Sequence, residues 1–442
     1  MTPRAASGRD FDFLIVGGGI TGCVMASLLV NRKLAAPGRV AIVAHGALPA
    51  AVPAVADADW DLRVFALSRA SQRLLTICGA WQLLPTQKYH AYERMCVWDA
   101  RSSPLRGGQP RGEPQGGELR GGQPQGAGSL SFDCAELGEP NLGNIVEGRA
   151  LQWECHRAAT AAGVVFVDAG VLKIEVDDAH VRVSLSDGRD LQGQLLIAAD
   201  GADSTARNLL GIETAGHAYH QDALVAHVRT AISHRNTAWQ RFLPAGPLAF
   251  LPLPDGRSSI VWSTERSEAG RLRSLDAAAF GAQLTAASGE VLGTCEVTTP
   301  IASFPLKLQY ALDYARPRAV LVGDAAHAVH PLAGQGLNLG LLDCAVLAEV
   351  LGDDLRGLGG SVRFGEHKLL RRYERRRKSE NLLAATAFDG LERLFSNDNS
   401  LLARLRIAGL EAVGRVPFIK REFATHALGL SGDVPAFLRA GF

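Results

Sequence analysis

An apolar run, Phe13-Leu-Ile-Val16, passes without a break into Gly17-x-Gly19-x-x-Gly22. Few structures suit that junction except a strand, a tight turn and a helix. The first glycine makes the turn, the second lets a pyrophosphate approach the backbone, and the third allows close helix packing. The free N–H groups and the dipole of the helix would favour the anion. The charge-free stretch Phe13–Asn31 is 19 residues long, enough to suggest a membrane span. Its cluster Gly17, Gly18, Gly19 and Gly22 breaks a single helix, so the strand–turn–helix reading is preferred. In such a unit an acid normally closes the second strand and binds ribose hydroxyls. Here the candidate strand is Arg39–Val43, and the next residues are Ala44 and His45, neither a carboxylate.

Two more strand candidates, Gln194–Ala199 and Ala319–Val322, are apolar and non-alternating, as in a parallel sheet covered on both faces. Helical patterns are expected at Cys23–Val30, Leu151–Ala162 and Leu339–Leu351. Between Asp222 and Ser263 the texture changes to strands Ala223–Arg229, Leu248–Pro252 and Ser259–Ser263, joined by turns such as Pro254-Asp-Gly256. That pattern predicts a mainly antiparallel sheet inserted into the α/β part. Glu366–Phe442 reads as mainly helical. Residues 101–128 hold nine glycines and four prolines, with Leu105–Gly112 nearly repeated at Leu119–Gly126. They are expected to form a disordered surface loop with little apolar surface to bury.

Each later strand opens on a polar motif. Asp200-Gly-Ala-Asp-Ser204 follows one, where Asp200 could meet a ligand or cap a helix. Gly323-Asp324-Ala-Ala-His327 follows the other and runs on through His330-Pro331-Leu-Ala-Gly334-Gln335-Gly336-Leu337-Asn338-Leu-Gly340 to Asp343. No third ligand completes a metal set with His327 and His330, and no CxxC pair occurs among the seven cysteines. No metal site is expected. A formal net charge of +1 offers no basic surplus for nucleic acid. Met1–Asp10 is polar, so no secretory signal is expected, and the cytoplasm fits best.

Glycine fingerprint, Asp-Gly motif and Gly-Asp motif, in this order, resemble the flavin-dependent aromatic hydroxylases. The form His330-Pro-Leu-Ala-Gly-Gln-Gly-Leu-Asn-Leu-Gly340 is similar to the narrower ubiquinone-biosynthesis hydroxylases, and His330 leans toward the 2-polyprenyl-6-methoxyphenol branch. Asp61-Leu-Arg63 through Ser68, Glu147-Gly-Arg149 through Gln152, Gly246–Pro252 and His426–Gly429 match too, although the family usually has Asn where Gly148 stands. The resemblance implies a Rossmann-like FAD-binding domain (1–75, 136–207 and 313–390). It also implies an inserted substrate domain (76–135 and 208–312) and a C-terminal helical region (391–442). Gly17, Gly19, Gly22, Arg63, Arg149, Asp200 and Asp324 would bind FAD. Gly334, Gln335, Gly336, Leu337 and Asn338 would lie against the flavin ring, with Pro331 beside its reacting face. NAD(P)H would reduce the flavin, and a C4a-hydroperoxide would hydroxylate a polyprenyl phenol with molecular oxygen. No side-chain acid or base is then needed.

Other readings stay open at this level: another aromatic substrate, or a non-catalytic scaffold in a ubiquinone-biosynthesis assembly. Without an acid at Ala44, FAD should bind more weakly than in relatives that carry one. Phe250 is expected to wall the substrate pocket. The basic run Lys368–Lys378, followed by Leu382 and Leu383, could attract anionic membrane headgroups.

Overall fold

The computed structural model describes residues 10–46, 60–100, 129–328, 335–357 and 364–395, with short pieces at 420–421, 425, 428–429 and 431–439. The repeat segment 101–128, residues His330, Pro331 and Gly334, and most of 391–442 lie outside the described residues.

The first sheet has five parallel strands at its centre. Their order is β19 (Ala319–Leu321), β11 (Asp190–Ala198), β1 (Asp10–Val16), β2 (Val40–Ala44) and β8 (Val165–Asp168). β18 (Ala315–Arg316), β10 (Val181–Leu185) and β9 (Val171–Val176) add antiparallel pairs. Phe13, Leu14 and Ile15 are all fully buried, and so are Leu195 to Ala198. That is why these strands read as continuous apolar runs: both faces are covered. The covering helices are α1 (Ile20–Asn31), α4 (Gly148–Ala161), α8 (Gln335–Gly357) and α9 (His367–Phe395), which share one core with the sheet. The Phe13–Asn31 run is thus strand, turn and helix. Among the described residues no helix is long and apolar enough to cross a membrane.

The second sheet is the expected insertion. Its order is β20 (His327–Ala328), β17 (Ala302–Ala311), β12 (Thr214–Thr230), β15 (Ser258–Glu265), β14 (Gly246–Pro252), β13 (Thr237–Leu243), β5 (Arg94–Asp99) and β6 (Ser129–Asp133). β16 (Cys295–Val297) pairs with β12. Every pairing is antiparallel except β13 with β5. Helices α6 (Arg266–Arg273) and α7 (Ala277–Ser288) cover one face. A small third sheet joins β3 (Val64–Leu67), β7 (Gly143–Glu147) and β4 (Tyr89–Tyr92), and so takes strands from both sides of the boundary at residue 76. Short helices α2 (Arg69–Ile77), α3 (Cys134–Leu137) and α5 (Thr205–Leu209) complete the frame. All seven cysteines are unpaired.

Candidate functional site

Close packing defines the glycine turn. Gly17 has φ +113°, and a Cβ there would meet the Ala199 carbonyl oxygen at 2.4 Å. No other residue type fits both the dihedral and the space. A Cβ on Gly22 would strike the Gly17 oxygen at 2.0 Å, whereas one on Gly19 would meet nothing within 4 Å. Gly19 caps α1 in an extended conformation with no side-chain hydrogen bond, and no acid occupies the first turn. The leading N–H groups of α1 thus face open space beside a bare backbone, which suits a pyrophosphate.

Asp200 lies against that turn, its Cα 2.8 Å from where a Gly17 Cβ would be. Its carboxylate accepts from Ser204 Oγ and, at 2.9 Å, from Ala206 N. Ser204 in turn caps α5 by accepting from Arg207 N at 2.9 Å. Of the two roles open in sequence, the geometry displays the helix-start role for Asp200.

Arg63 and Arg149 come together across the third sheet. Gly148 N donates to the Arg63 carbonyl at 2.8 Å. A Cβ on Gly148 would sit 2.8 Å from that same oxygen, so glycine here lets β3 approach α4 more closely than Asn would allow. Arg149 pairs with Asp61 at 3.6 Å, and both Arg side chains are exposed. Beneath them Lys88 and Glu147 form a buried ion pair at 3.0 Å. Glu147 Oε1 also accepts from Asp61 N at 3.2 Å. Neither Lys88 nor Glu147 was marked in sequence as a pair, because 59 positions separate them.

The Gly-Asp turn is backed by the most deeply buried polar network described. Gly323 (φ +61°) packs between Thr21 of α1 and Gly340 of α8, where a Cβ on Gly340 would meet the Gly323 Cα at 2.9 Å. Asp343, fully buried on α8, accepts from Gly323 N at 3.0 Å and lies 2.6 Å from His327 Nε2. Its other oxygen accepts from Arg377 Nε at 2.7 Å and Asn381 Nδ2 at 3.1 Å. Burial alone would raise the Asp343 carboxyl, but His327 and Arg377 override it and hold it at about 2. Asp324 points the other way. It reaches solvent, yet the surrounding crevice desolvates it and raises its carboxyl above the usual range, against the opposing pull of His327 and Arg63. Arg63 and Asp324 are therefore close enough to influence each other although 261 positions apart.

Asn338 anchors the first turn of α8. Its Oδ1 accepts from Ser68 N at 2.9 Å and Ser71 Oγ at 2.7 Å, and its Nδ2 donates to the Ala66 carbonyl at 2.8 Å. Leu337 packs on the main core. A Cβ on Gly336 would meet nothing within 4 Å, so the backbone is bare there as at Gly19. Gln335 starts α8. Pro331 and Gly334, expected beside the ring, lie outside the described residues.

The second sheet overturns one expectation. Phe250 is 1% exposed and packs with Leu224, Ile260, Trp262 and Phe280, in the core shared with α6 and α7. It belongs to the sheet's own core, away from the cleft. Leu251 and Leu253 turn to the opposite face, against Trp60, Ala66 and Ile145. The strand alternates with period two, and Phe250, expected at the pocket wall, lies on the α6/α7 side. Among the described residues no cluster of three metal-ligating side chains exists.

Taken together, two bare helix starts, a close-packed glycine turn and a desolvated carboxylate within electrostatic reach of Arg63 fit a dinucleotide with a polyol chain and an anionic centre, as FAD has. A family profile described as "FAD binding domain" matches residues 154–384. Ubiquinone hydroxylase UbiL of Rhodospirillum rubrum is 37% identical over 97% of this chain and 92% of that protein. The 3-demethoxyubiquinol 3-hydroxylase of Escherichia coli is 33% identical over 95% of this chain and 98% of its own length. Human ubiquinone biosynthesis monooxygenase COQ6, mitochondrial, is 33% identical, covering 96% and 93%. Among solved structures, p-nitrophenol 4-monooxygenase PnpA from Pseudomonas putida aligns over 95% of this chain and 98% of that one, at 18% identity and a TM-score of 0.68. That last likeness concerns the fold.

Proposed function

This chain belongs to the FAD-dependent ubiquinone-biosynthesis hydroxylases, and from that premise we propose that it hydroxylates the ring of a polyprenyl phenol, with NAD(P)H as transient reductant. The observation that carries this reading is the extent of the kinship. It spans 97% of the chain, and so takes in both the first sheet's strand ends and the second sheet. FAD, when bound, supplies the electron transfer and oxygen activation.

The chain's own residues do the rest. The bare first turn of α1 would hold the pyrophosphate, with Gly17 and Gly22 setting its approach. Asp324, with Arg63 across the crevice, would bind the polyol chain. Asn338, tied to Ser68 and Ser71, fixes the start of α8 so that its N–H groups face the ring. Pro331, Gly334 and Gln335 are proposed to shape the ring's environment. The cleft-side face of the second sheet carries Ala223, Val225 and Ala249, all buried and small enough to leave room for a phenol ring. An apolar wall there excludes water from the oxygen chemistry.

A lipid substrate also gives α9 a role. The structure sorts its basic run. Arg376 pairs with Asp433 and Glu349, Arg377 is buried on Asp343, and Lys378 bonds the Leu312 carbonyl. Lys368, Arg371 (3.8 Å from Glu374), Arg372 and Arg375 remain exposed at helical spacing, and Leu382 and Leu383 follow at 47% and 63% exposure. A cationic stripe running into exposed leucines suits an anionic membrane surface. A cytoplasmic protein, peripheral to the membrane, is the proposed setting.

Purified protein should be yellow or take up FAD, and should consume NAD(P)H with stoichiometric hydroxylation of a short-chain prenyl phenol. Deleting the gene should accumulate the unhydroxylated quinone precursor. Flavin uptake without any ring hydroxylation, together with unchanged quinone in the deletion strain, would overturn the reading.

A further inference from the structure

The nucleotide end of the cleft lacks its usual acid, since β2 ends at Ala44. We propose that Asp168, at the end of the neighbouring strand β8, supplies the carboxylate that binds the adenosine ribose; this rests on the reading that the cleft holds FAD. Three observations converge. Ala44 marks the ribose position, because its Cβ lies 3.0 Å from where a Gly18 Cβ would be, against the phosphate turn. Ala44 and Asp168 are register partners in the parallel pair β2–β8. Partners in adjacent strands put their side chains on the same face, about 4.8 Å apart. Asp168 therefore projects beside the Ala44 side chain, one strand further from Gly18.

The carboxylate is also oriented. Oδ1 accepts from Gly46 N at 3.1 Å, across the end of β2. The other oxygen has no partner among the described residues, and the side chain is exposed at the cleft rim. A carboxylate held by one oxygen with the other open is suited to two vicinal ribose hydroxyls, which are donors. The competing role for Asp168 is purely local, as an acceptor that ends β2. That role needs only Oδ1, and Asn would fulfil it equally well. The ribose role needs the charge.

The test is flavin-fluorescence titration of the apoprotein with FAD and with an FAD analogue lacking both adenosine ribose hydroxyls, beside a melting curve. Asp168→Asn should keep the fold and lose about 10- to 100-fold in FAD affinity, the size of a charge-assisted hydrogen bond. Analogue affinity should hardly change. Ala44→Glu should restore FAD affinity in the Asp168→Asn background and add little to the parent protein, which already has its carboxylate. Unchanged FAD affinity in Asp168→Asn, or an equal loss for FAD and the analogue, would overturn the proposal. A parent protein that binds no FAD at all would overturn the cofactor reading instead.

Discussion

The two large sheets solve different problems. In the parallel sheet the strands are buried on both faces, and polar function is confined to their C-terminal ends. There it is secured from behind: Asp343, 20 residues after Gly323, ties the turn to His327, Arg377 and Asn381 without exposure of its own. The antiparallel sheet instead separates its duties by face. Phe250, Trp262 and Leu224 make a private core with α6 and α7, and the alternate residues Ala223, Val225 and Ala249 lie on the opposite face, the one proposed to meet the cleft. A site built on strand ends depends on a few irreplaceable bonds, whereas a site built on one face of a sheet can change side chains without touching the core. This difference can be tested on both sides.

The largest effect is expected from Asp343→Ala. It leaves His327 and Arg377 buried without their counter-charge, and breaking such a pair costs about 3–5 kcal/mol. It also removes the acceptor for Gly323 N, so flavin content should fall with melting temperature. The same carboxyl makes the first sheet acid-sensitive. Its folded value, about 2, lies below its ordinary 3.8. The stability it contributes is therefore complete above about pH 4 and lost as pH falls toward 2. Urea melts between pH 5 and 2.5 should steepen the loss in the parent relative to Asp343→Asn. Flavin retained at parental level in Asp343→Ala would break the argument that the turn is secured from behind.

Phe250→Ala is the counterpart on the other sheet. Removing a buried Phe ring costs about 3–5 kcal/mol. If the faces are separate, the folded fraction should still bind FAD with parental affinity and hydroxylate without extra peroxide release. Increased peroxide per NAD(P)H consumed, with little loss of stability, would put Phe250 back at the pocket wall.

Asp324→Ala isolates the strand-end chemistry from the network behind it. The side chain reaches solvent, and no bond to the fold depends on it among the described residues. A folded apoprotein is expected, with FAD affinity lower by roughly 10- to 100-fold, by the same charge-assisted hydrogen-bond scale. A yellow protein with normal turnover would remove Asp324 from the site.

What could be read from the chain follows the same division. The glycine turn was legible because its strand, turn and helix are contiguous and each glycine answers to a neighbour nearby in sequence. The second sheet's antiparallel strands were legible too. Which of its faces looks into the cleft was not, since that depends on where α6 and α7 fold back. Asn338 shows a further limit. It is expected at the ring, and nothing in the sequence shows that its side chain holds Ser68 and Ser71, some 270 positions away. Asp168 is invisible from the β2 sequence, since only the register of β8 places a carboxylate beside Ala44.

The smallest effect concerns the repeat segment, and it bears on how freely the second sheet accepts change. β5 and β6 pair antiparallel, with Trp98 opposite Ser129, so the chain leaves and rejoins adjacent strands. A four-residue turn could span that gap, yet 28 residues, 101–128, do so. Each doubling of a flexible loop costs about 0.6 kcal/mol in closure entropy. Shortening from 28 to four residues spans nearly three doublings and should stabilise the protein by roughly 1–2 kcal/mol. Replacing 101–128 with a Gly-containing turn should therefore raise the melting temperature by a few degrees at unchanged flavin content. The sign of the shift decides the matter. A fall would mean that the segment packs against the sheet and contributes more than its closure entropy removes.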